Sequence, residues 1–367
     1  MRATILDKYI IKELLGPFLY GIFAFTAILA GSTVLFRLVG EVVRYGIAFD
    51  DSLILFVYRL PNIMVYTFPM SMLLSTLIVF GRLSADSELI AIKSGGISFY
   101  RVVGPVLIIG FIVSLVTLTF NELVVPRANV EQERMFLKLI NQGAPPIRRN
   151  VNYTEYNDIT GAPLRIINAL QVEGKIMTKV TIAEFEEGRL ARVIRSDKAV
   201  WMQKGSWEFY DGVMHNFLEE DRTKLIVIEF KKELINLEQT PGNITEREKK
   251  AEEMNAYELS QLIQSKKKRG QDTKELEVQL QLKYSVPFAC FVFVLFGAPL
   301  GLKPHRGSAS IGLGLSLIII FGYYILLSIC MGMGLAGTIH PFISAWIPNI
   351  IVGGLGIYFL VKEVGEK

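Results

Sequence analysis

The chain has 367 residues, 51% of them hydrophobic and 20% charged, with a mean hydropathy of +0.38; this excludes an ordinary soluble protein and leaves a membrane protein carrying a soluble part. Lys and Arg outnumber Asp and Glu by 39 to 35, yet residues 122–283 hold 26 of each sign, so the whole excess belongs to the apolar flanks. Cys290 and Cys330 both lie inside apolar runs, which excludes a disulfide framework and a zinc site.

Crossing a hydrocarbon core of about 30 Å takes about 20 helical residues. Six runs reach that length: Leu14–Phe36, Leu60–Gly81, Val102–Asn121, Tyr284–Leu302, Ile311–Gly337 and Pro341–Val361. The first is too long for a signal peptide and lacks a small-residue cleavage pattern, so it reads as a retained first helix. In the second, Pro61 and Pro69 each remove a backbone hydrogen bond and favour a bend, serving either motion or packing. Gly297-x-x-x-Gly301 and the glycines Gly332, Gly334 and Gly337 permit close helix approach, as in any membrane bundle.

Orientation follows from basic residues in the short loops. With the N-terminus cytoplasmic, the inner segments carry Arg2, Lys8, Lys12, Arg82, Lys93, Arg101, Lys303, Arg306, Lys362 and Lys367, against Arg37 and Arg44 in the first outer loop. Both termini are then cytoplasmic. The long segment between the third and fourth runs lies on the far face, which in a Gram-negative cell is the periplasm.

That segment changes period. Pro163–Leu170, Thr178–Phe185, Leu190–Arg195, Lys198–Gln203, Trp207–Tyr210, Val213–Phe217 and Leu225–Phe230 read as short strands broken by turns, so seven or eight strands form a β-sandwich or jelly roll. Leu225-Ile226-Val227-Ile228 is apolar on both faces: it is either a strand buried between layers or one whose second face lines an apolar groove. After Thr240-Pro241-Gly242 a helical pattern leads through the basic run Lys266–Arg269 back to the membrane. The predicted architecture is α-helical, six transmembrane helices in a 3+3 arrangement, with an inserted β-jelly-roll domain. The divisions are 1–121, 122–283 and 284–367.

Motifs for chemistry are missing. There is no Gly-x-x-x-x-Gly-Lys-Ser/Thr phosphate loop, no HExxH and no Gly-x-Ser-x-Gly elbow, and His215, His305 and His340 are scattered. The chain is expected to be non-catalytic, with no metal and no nucleic-acid partner. The informative segment is the loop 82–98. Ser84 or Asp86 is placed to cap a short helix over about 84–95, Leu89, Ile90 and Ile92 give it an apolar side, and Gly95-Gly96 ends it. Such a helix either rests on lipid or docks a protein, with Glu88 offering a charge to a partner's Arg.

Ser87-Glu88-Leu89, followed by Ala91, Lys93, Ser94 and Gly95-Gly96-Ile97-Ser98, resembles the coupling-helix signature of the LptF/LptG (YjgP/YjgQ) lipopolysaccharide-export permeases. Pro61, Phe68-Pro69-Met70, Asn121-Glu122, Pro126, Lys283, Pro287, Gly297-Ala298-Pro299-Leu300-Gly301 and Arg306-Gly307 extend the resemblance over essentially the whole chain. It implies a permease paired with a paralogous permease, served by a cytoplasmic ATPase dimer that binds ATP and Mg, with no cofactor on this chain. It further implies a cavity formed by the first and fifth spans that takes lipopolysaccharide from the inner membrane, and β domains that pass it to a periplasmic bridge protein of the LptC/LptA type. Ser87, Glu88, Leu89, Ile92 and Gly95 are the residues it implies for ATPase coupling.

A lipid with several acyl chains needs cover in water, since each exposed CH₂ costs roughly 0.8 kcal/mol, and its phosphorylated sugars call for fixed cations. Arg37 and Arg44, seven residues apart, share one helix face, and Arg37 matches a basic position of the family's first helix. Glu41 lies within a turn of both, and the three either neutralise one another or leave charge for the ligand. Arg59 either snorkels to the head-group region or joins the anionic-lipid site. Lys283 is either a further lipid contact or an interfacial anchor, and Lys266–Arg269 is a solvated basic turn or a lipid-attracted one. Two rival readings stand beside the exporter: a permease for another lipid or lipoprotein, and a membrane-anchored periplasmic scaffold.

Overall fold

The structure is a computed structural model and describes residues 5–140, 148–157, 162–186, 188–202, 206–217, 225–237, 240–241, 249–302 and 309–365. Arg2, Lys303, His305, Arg306, Gly307 and Lys367, together with Gln203 and Gly242, lie outside the described residues. The chain divides into a helical unit, Met1–Gln132, Lys250–Ile263 and Thr273–Lys367, and a β unit, Glu133–Lys249 and Gln264–Asp272.

Helix α1, Ile5–Leu29, passes through a π-helical turn, Ala30–Leu35, into α2, Phe36–Tyr45. At the start of the wide turn the hydroxyls of Ser32 and Thr33 donate to the Leu29 carbonyl at 3.2 and 2.6 Å, competing with the backbone for that acceptor. Helix α3, Phe49–Ala85, runs unbroken through Pro61 and Pro69. Its buried Thr67, Ser71, Ser75 and Thr76 donate back to carbonyls of their own helix, so these hydroxyls are satisfied inside an apolar bundle. Then come α4 (Glu88–Ser94), α5 (Phe99–Leu123), α6 (Val125–Ile140), α7 (Ala256–Lys268), α8 (Lys274–Gly301), α9 (Ala309–Leu335) and α10 (Pro341–Gly365). Among the described residues six helical stretches are long and apolar enough to span a membrane, one for each run read in the sequence. Several of them outlast those runs because helix continues past the apolar part into polar ends, as at Ile5–Tyr45 and Phe99–Leu139.

Two devices pack α8 into the bundle. Gly297 and Gly301 face α3 so closely that a Cβ on Gly301 would lie 2.6 Å from Phe80 Cβ; the absent side chains let the helices approach. Pro287 leaves the Lys283 carbonyl without its helical donor. Asn121 Nδ2 of α5 donates to that carbonyl at 3.2 Å. One turn along, Ser114 Oγ donates to the Pro287 carbonyl at 2.9 Å and accepts the Phe291 N–H at 3.2 Å. The proline is thereby sewn to the neighbouring helix.

The six described strands of the β unit are β1 (Arg148–Tyr156), β2 (Pro163–Glu173), β3 (Ile176–Glu186), β4 (Arg189–Trp201), β5 (Ser206–Phe217) and β6 (Leu225–Asn236). They pair antiparallel in sequence order in one sheet, whereas the sequence reading placed seven or eight shorter strands. Leu190–Arg195 and Lys198–Gln203 fuse into β4, and Trp207–Tyr210 and Val213–Phe217 into β5. The signals Ser196-Asp197 and Asp211-Gly212 mark an irregularity inside the paired strands: Ser196 pairs with Gly212, Asp211 has φ 51°, and a Cβ on Gly212 would overlap the Phe230 ring. Glycine is required there for close packing, not for a turn.

One cross-strand row, Tyr153–Ile167–Ile182–Ile194–Met214–Ile228, runs across the sheet. Ile167, Ile182 and Ile194 are fully buried in a cluster drawn from the sheet itself, so the sheet curls over its own face. A second row alternates charge, Glu155–Arg165–Glu184–Arg192, with Arg165 bridging Glu155 and Glu184 at 3.2 and 2.9 Å. The edge strand β6 departs from this pattern. Leu225, Ile226, Val227 and Ile228 are all 44–50% exposed, so this stretch is not a strand buried between layers. Arg269 of the basic run stacks on the Tyr156 ring at 4.4 Å, and Gln271 donates to the Tyr156 hydroxyl at 2.6 Å; the end of that run is anchored rather than freely solvated.

Candidate functional site

Helix α4 begins one residue after Ser87, which adopts a left-handed conformation with φ 61° and gives no side-chain cap. Ser84, expected to cap it, still belongs to α3 and donates to the Leu302 carbonyl at 3.0 Å, while the Asp86 N–H closes the end of α3 on Arg82 O. The predicted stop is present. Gly96, at φ 79°, donates its N–H to Lys93 O, and the Ile97 N–H reaches Ile92 O, the paired bonds that end a helix at a left-handed glycine.

The two faces of α4 differ. Leu89 is 3% exposed and Ile92 partly buried, both packed on the cluster that holds Ile10 and Leu14 of α1. Ile90 is 63% exposed, and Ala91, Lys93, Ser94 and Gly95 are exposed with it. Of the residues expected to couple to an ATPase, Leu89 and Ile92 thus anchor the helix inward, whereas Ser87 and Gly95 lie outward. Glu88 is half-buried and its Oε2 accepts the Tyr9 hydroxyl hydrogen bond at 2.7 Å.

At the other end of α1 and α2 the four expected cations separate. Arg59 donates from Nη2 to both Glu41 oxygens, at 2.9 and 3.2 Å, with side chains 12% and 16% exposed. Arg59 Nη1 is buried without a hydrogen-bond partner among the described residues. Glu41 is thereby committed to α3. Arg37 and Arg44, its neighbours on α2, are exposed and form no ion pair among the described residues. Beside them Phe36, Val39 and Val43 are 78%, 60% and 80% exposed, so α2 presents a basic stripe next to an apolar one.

Lys283 does not join this group. It is 9% exposed and lines a small cavity of about 50 Å³ with Asn62, Tyr66, Asn121, Glu252 and Gln279. Glu122, Glu252 and Glu258 interact with it electrostatically. Glu122 in turn accepts the Ala256 N–H at 2.7 Å, holding the first turn of α7. Lys283 is an interior cation among carboxylates, a role that the spacing of Glu122, Glu252 and Lys283 in the chain does not disclose. Among the described residues no group of His, Cys, Asp and Glu is arranged to hold a metal ion.

A family model described as lipopolysaccharide export system permease LptF/LptG matches residues 8–362, from the base of α1 to the end of α10. The chain belongs to the LptF/LptG family. Among curated proteins none matches it. Membership makes it a permease subunit of lipopolysaccharide export, a transport protein rather than an enzyme, acting within the Lpt transport system. With six apolar helices of spanning length, this LptF/LptG permease is a multi-pass protein of the inner membrane.

Proposed function

We propose that the chain is one half of a permease pair, with a paralogous LptF/LptG partner, in an ATP-driven exporter that draws lipopolysaccharide from the inner membrane and passes it to a periplasmic bridge protein of the LptC/LptA type. ATP and Mg are held by a cytoplasmic ATPase dimer, and this chain contributes no cofactor. Both termini and α4 face the cytoplasm, and the β unit is periplasmic. The observation that carries the reading is the commitment of Glu41 to Arg59, which leaves Arg37 and Arg44 exposed beside Phe36, Val39 and Val43. A surface of fixed cations next to exposed apolar side chains matches a lipid whose acyl chains need cover and whose phosphates need counter-charges.

Two further surfaces support the partners. The outward face of α4, with Ile90 exposed and Glu88 able to accept from a guanidinium, suits an ATPase groove. Strand β6 is the last strand of the sheet among the described residues and exposes Leu225–Ile228, the combination through which one sheet adds another's strand and continues an apolar lining.

The test is reconstitution of both permeases, the ATPase and the bridge protein in proteoliposomes loaded with lipopolysaccharide, measuring ATP-dependent arrival of lipid on the bridge. Replacing Arg37 and Arg44 together by Ala should lower delivery by about tenfold, the loss of one charge-assisted contact or more, with the complex still assembled. Undiminished delivery by that variant contradicts the assigned site. Delivery of a different lipid would move the assignment to another export permease, and a chain that recruits no ATPase to a scaffold.

A further inference from the structure

The short helix α4 is tied at its start to the first turns of α1, and α5, which follows it, is tied there as well. At its start, the Tyr9 hydroxyl donates to Glu88 Oε2 at 2.7 Å and accepts from Arg82 Nη2 at 3.1 Å. Arg82 Nη1 is in turn paired with Glu13 Oε2 at 2.9 Å. Beyond its end, Arg101, in the first turn of α5, donates from Nη2 to Asp7 Oδ2 at 2.8 Å and places Nη1 2.7 Å from Oδ1 as an ion pair. Between these ties, Leu89 and Ile92 pack into the cluster that contains Ile10, Leu14, Leu6 and Tyr9.

Tyr9 and Glu88 are 79 residues apart, as Asp7 and Arg101 are 94 apart, so the first tie joins α4 to the first span and the second joins the first span to the third. A carboxylate accepts on both oxygens. Glu88 Oε2 is taken by Tyr9, while Oε1 has no partner among the described residues.

We propose that Tyr9 is a positioning residue of the exporter: its hydroxyl, held on Glu88, makes α4 pull directly on the first span. Helix α1 carries that pull through the π-helical turn to α2. From Tyr9 to Arg37 is 28 residues, about 42 Å at 1.5 Å per helical residue. Nucleotide-driven movement of α4 therefore reaches the stripe of Arg37 and Arg44 along one continuous rod, beside any path through α3 and α5. Phenol and ring have separable duties, because the ring packs in the apolar cluster while the hydroxyl makes the tie.

This inference rests on the reading of α4 as the ATPase-docking helix, and the experiment separates the two. In the complete complex in nanodiscs, spin labels are placed at Val39→Cys and Leu123→Cys, both exposed positions; the native Cys290 and Cys330 are buried. The distance between labels is read with and without a non-hydrolysable ATP analogue. Tyr9→Phe should leave ATPase association within about twofold, yet at least halve the nucleotide-dependent change in distance. Glu88→Gln, which keeps an acceptor for Tyr9 but loses the charge, should show the opposite loss, weakening association about tenfold, the scale of one charge-assisted hydrogen bond. An unchanged distance response in Tyr9→Phe overturns the role given to Tyr9. Undiminished association in both Glu88→Gln and Glu88→Ala overturns instead the docking role of α4.

Discussion

Arg59 holds Glu41 with one guanidinium nitrogen at 2.9 and 3.2 Å from the two carboxylate oxygens, tying α3 to α2 across 18 residues of sequence. Glu41 sits four residues after Arg37 and three before Arg44, where a free carboxylate would reach either of them. The pair therefore decides whether α2 offers cations to a ligand. Arg59→Met should release Glu41 to its own helix and lower lipopolysaccharide affinity about tenfold, a cost near 1.4 kcal/mol. Adding Glu41→Gln in the same chain should restore affinity. A binding assay with labelled lipopolysaccharide reads both; a loss that Glu41→Gln leaves in place means that Arg59 touches the lipid itself.

A second prediction concerns the proline in α8. Asn121→Ala leaves the Lys283 carbonyl buried and unpaired, at a cost of about 1–3 kcal/mol, and should lower the unfolding temperature of the purified permease. Pro287→Ala restores the helical N–H that carbonyl lacks, so it should recover much of the loss in the Asn121→Ala background. Additive losses in the double variant would mean that Asn121 stabilises α8 by some other contact.

In the β unit, the Lys232 ammonium lies 2.8 Å from Glu208, and the Tyr210 hydroxyl donates to the same carboxylate. The hydrogen bond from Lys232, then that from Tyr210, holds the Glu208 carboxyl below its usual range, and the Lys232 ammonium is raised by the same partner. The depressed acid contributes stability above the unfolded carboxyl value, about 4.3, that is lost as pH falls through the lower folded value. The raised amine contributes below its unfolded value, about 10.4, and its share is lost as pH rises through the higher folded value. Denaturant unfolding followed at the tryptophans across pH should thus show a plateau between those limits, and Lys232→Met should flatten both flanks. Unchanged flanks in that variant contradict the assignment.

Spans were legible because hydropathy over twenty residues is a local property, and the β domain showed itself by its change of period. Strand ends were less legible. Ser196-Asp197 and Asp211-Gly212 carry turn chemistry, yet they face each other inside a continuous pair of strands, with Gly212 kept small by the ring of Phe230. Glu88 and Arg37 stood out through the family signature, whereas Tyr9, Asp7 and Arg101 did not. Their partners lie 79 and 94 residues away, and Arg101 read as one more basic residue of a short loop. Acidic Asp7 and Glu13 in an otherwise basic first segment were the available signal that this segment has cationic neighbours. The fate of Glu41 was undecidable from spacing, because Arg59, which claims it, belongs to another helix.

In the proposed exporter, Arg37 and Arg44 hold lipopolysaccharide for a permease pair driven by ATP. Co-purification of the complex from native membranes in mild detergent, with mass spectrometry of proteins and bound lipid, tests it most directly. The wild-type chain should bring down an ATPase, a second six-span permease and lipopolysaccharide, and the Arg37→Ala/Arg44→Ala chain should keep both proteins and lose the lipid. Equal lipopolysaccharide on both chains, or a different lipid on the wild type, would contradict it.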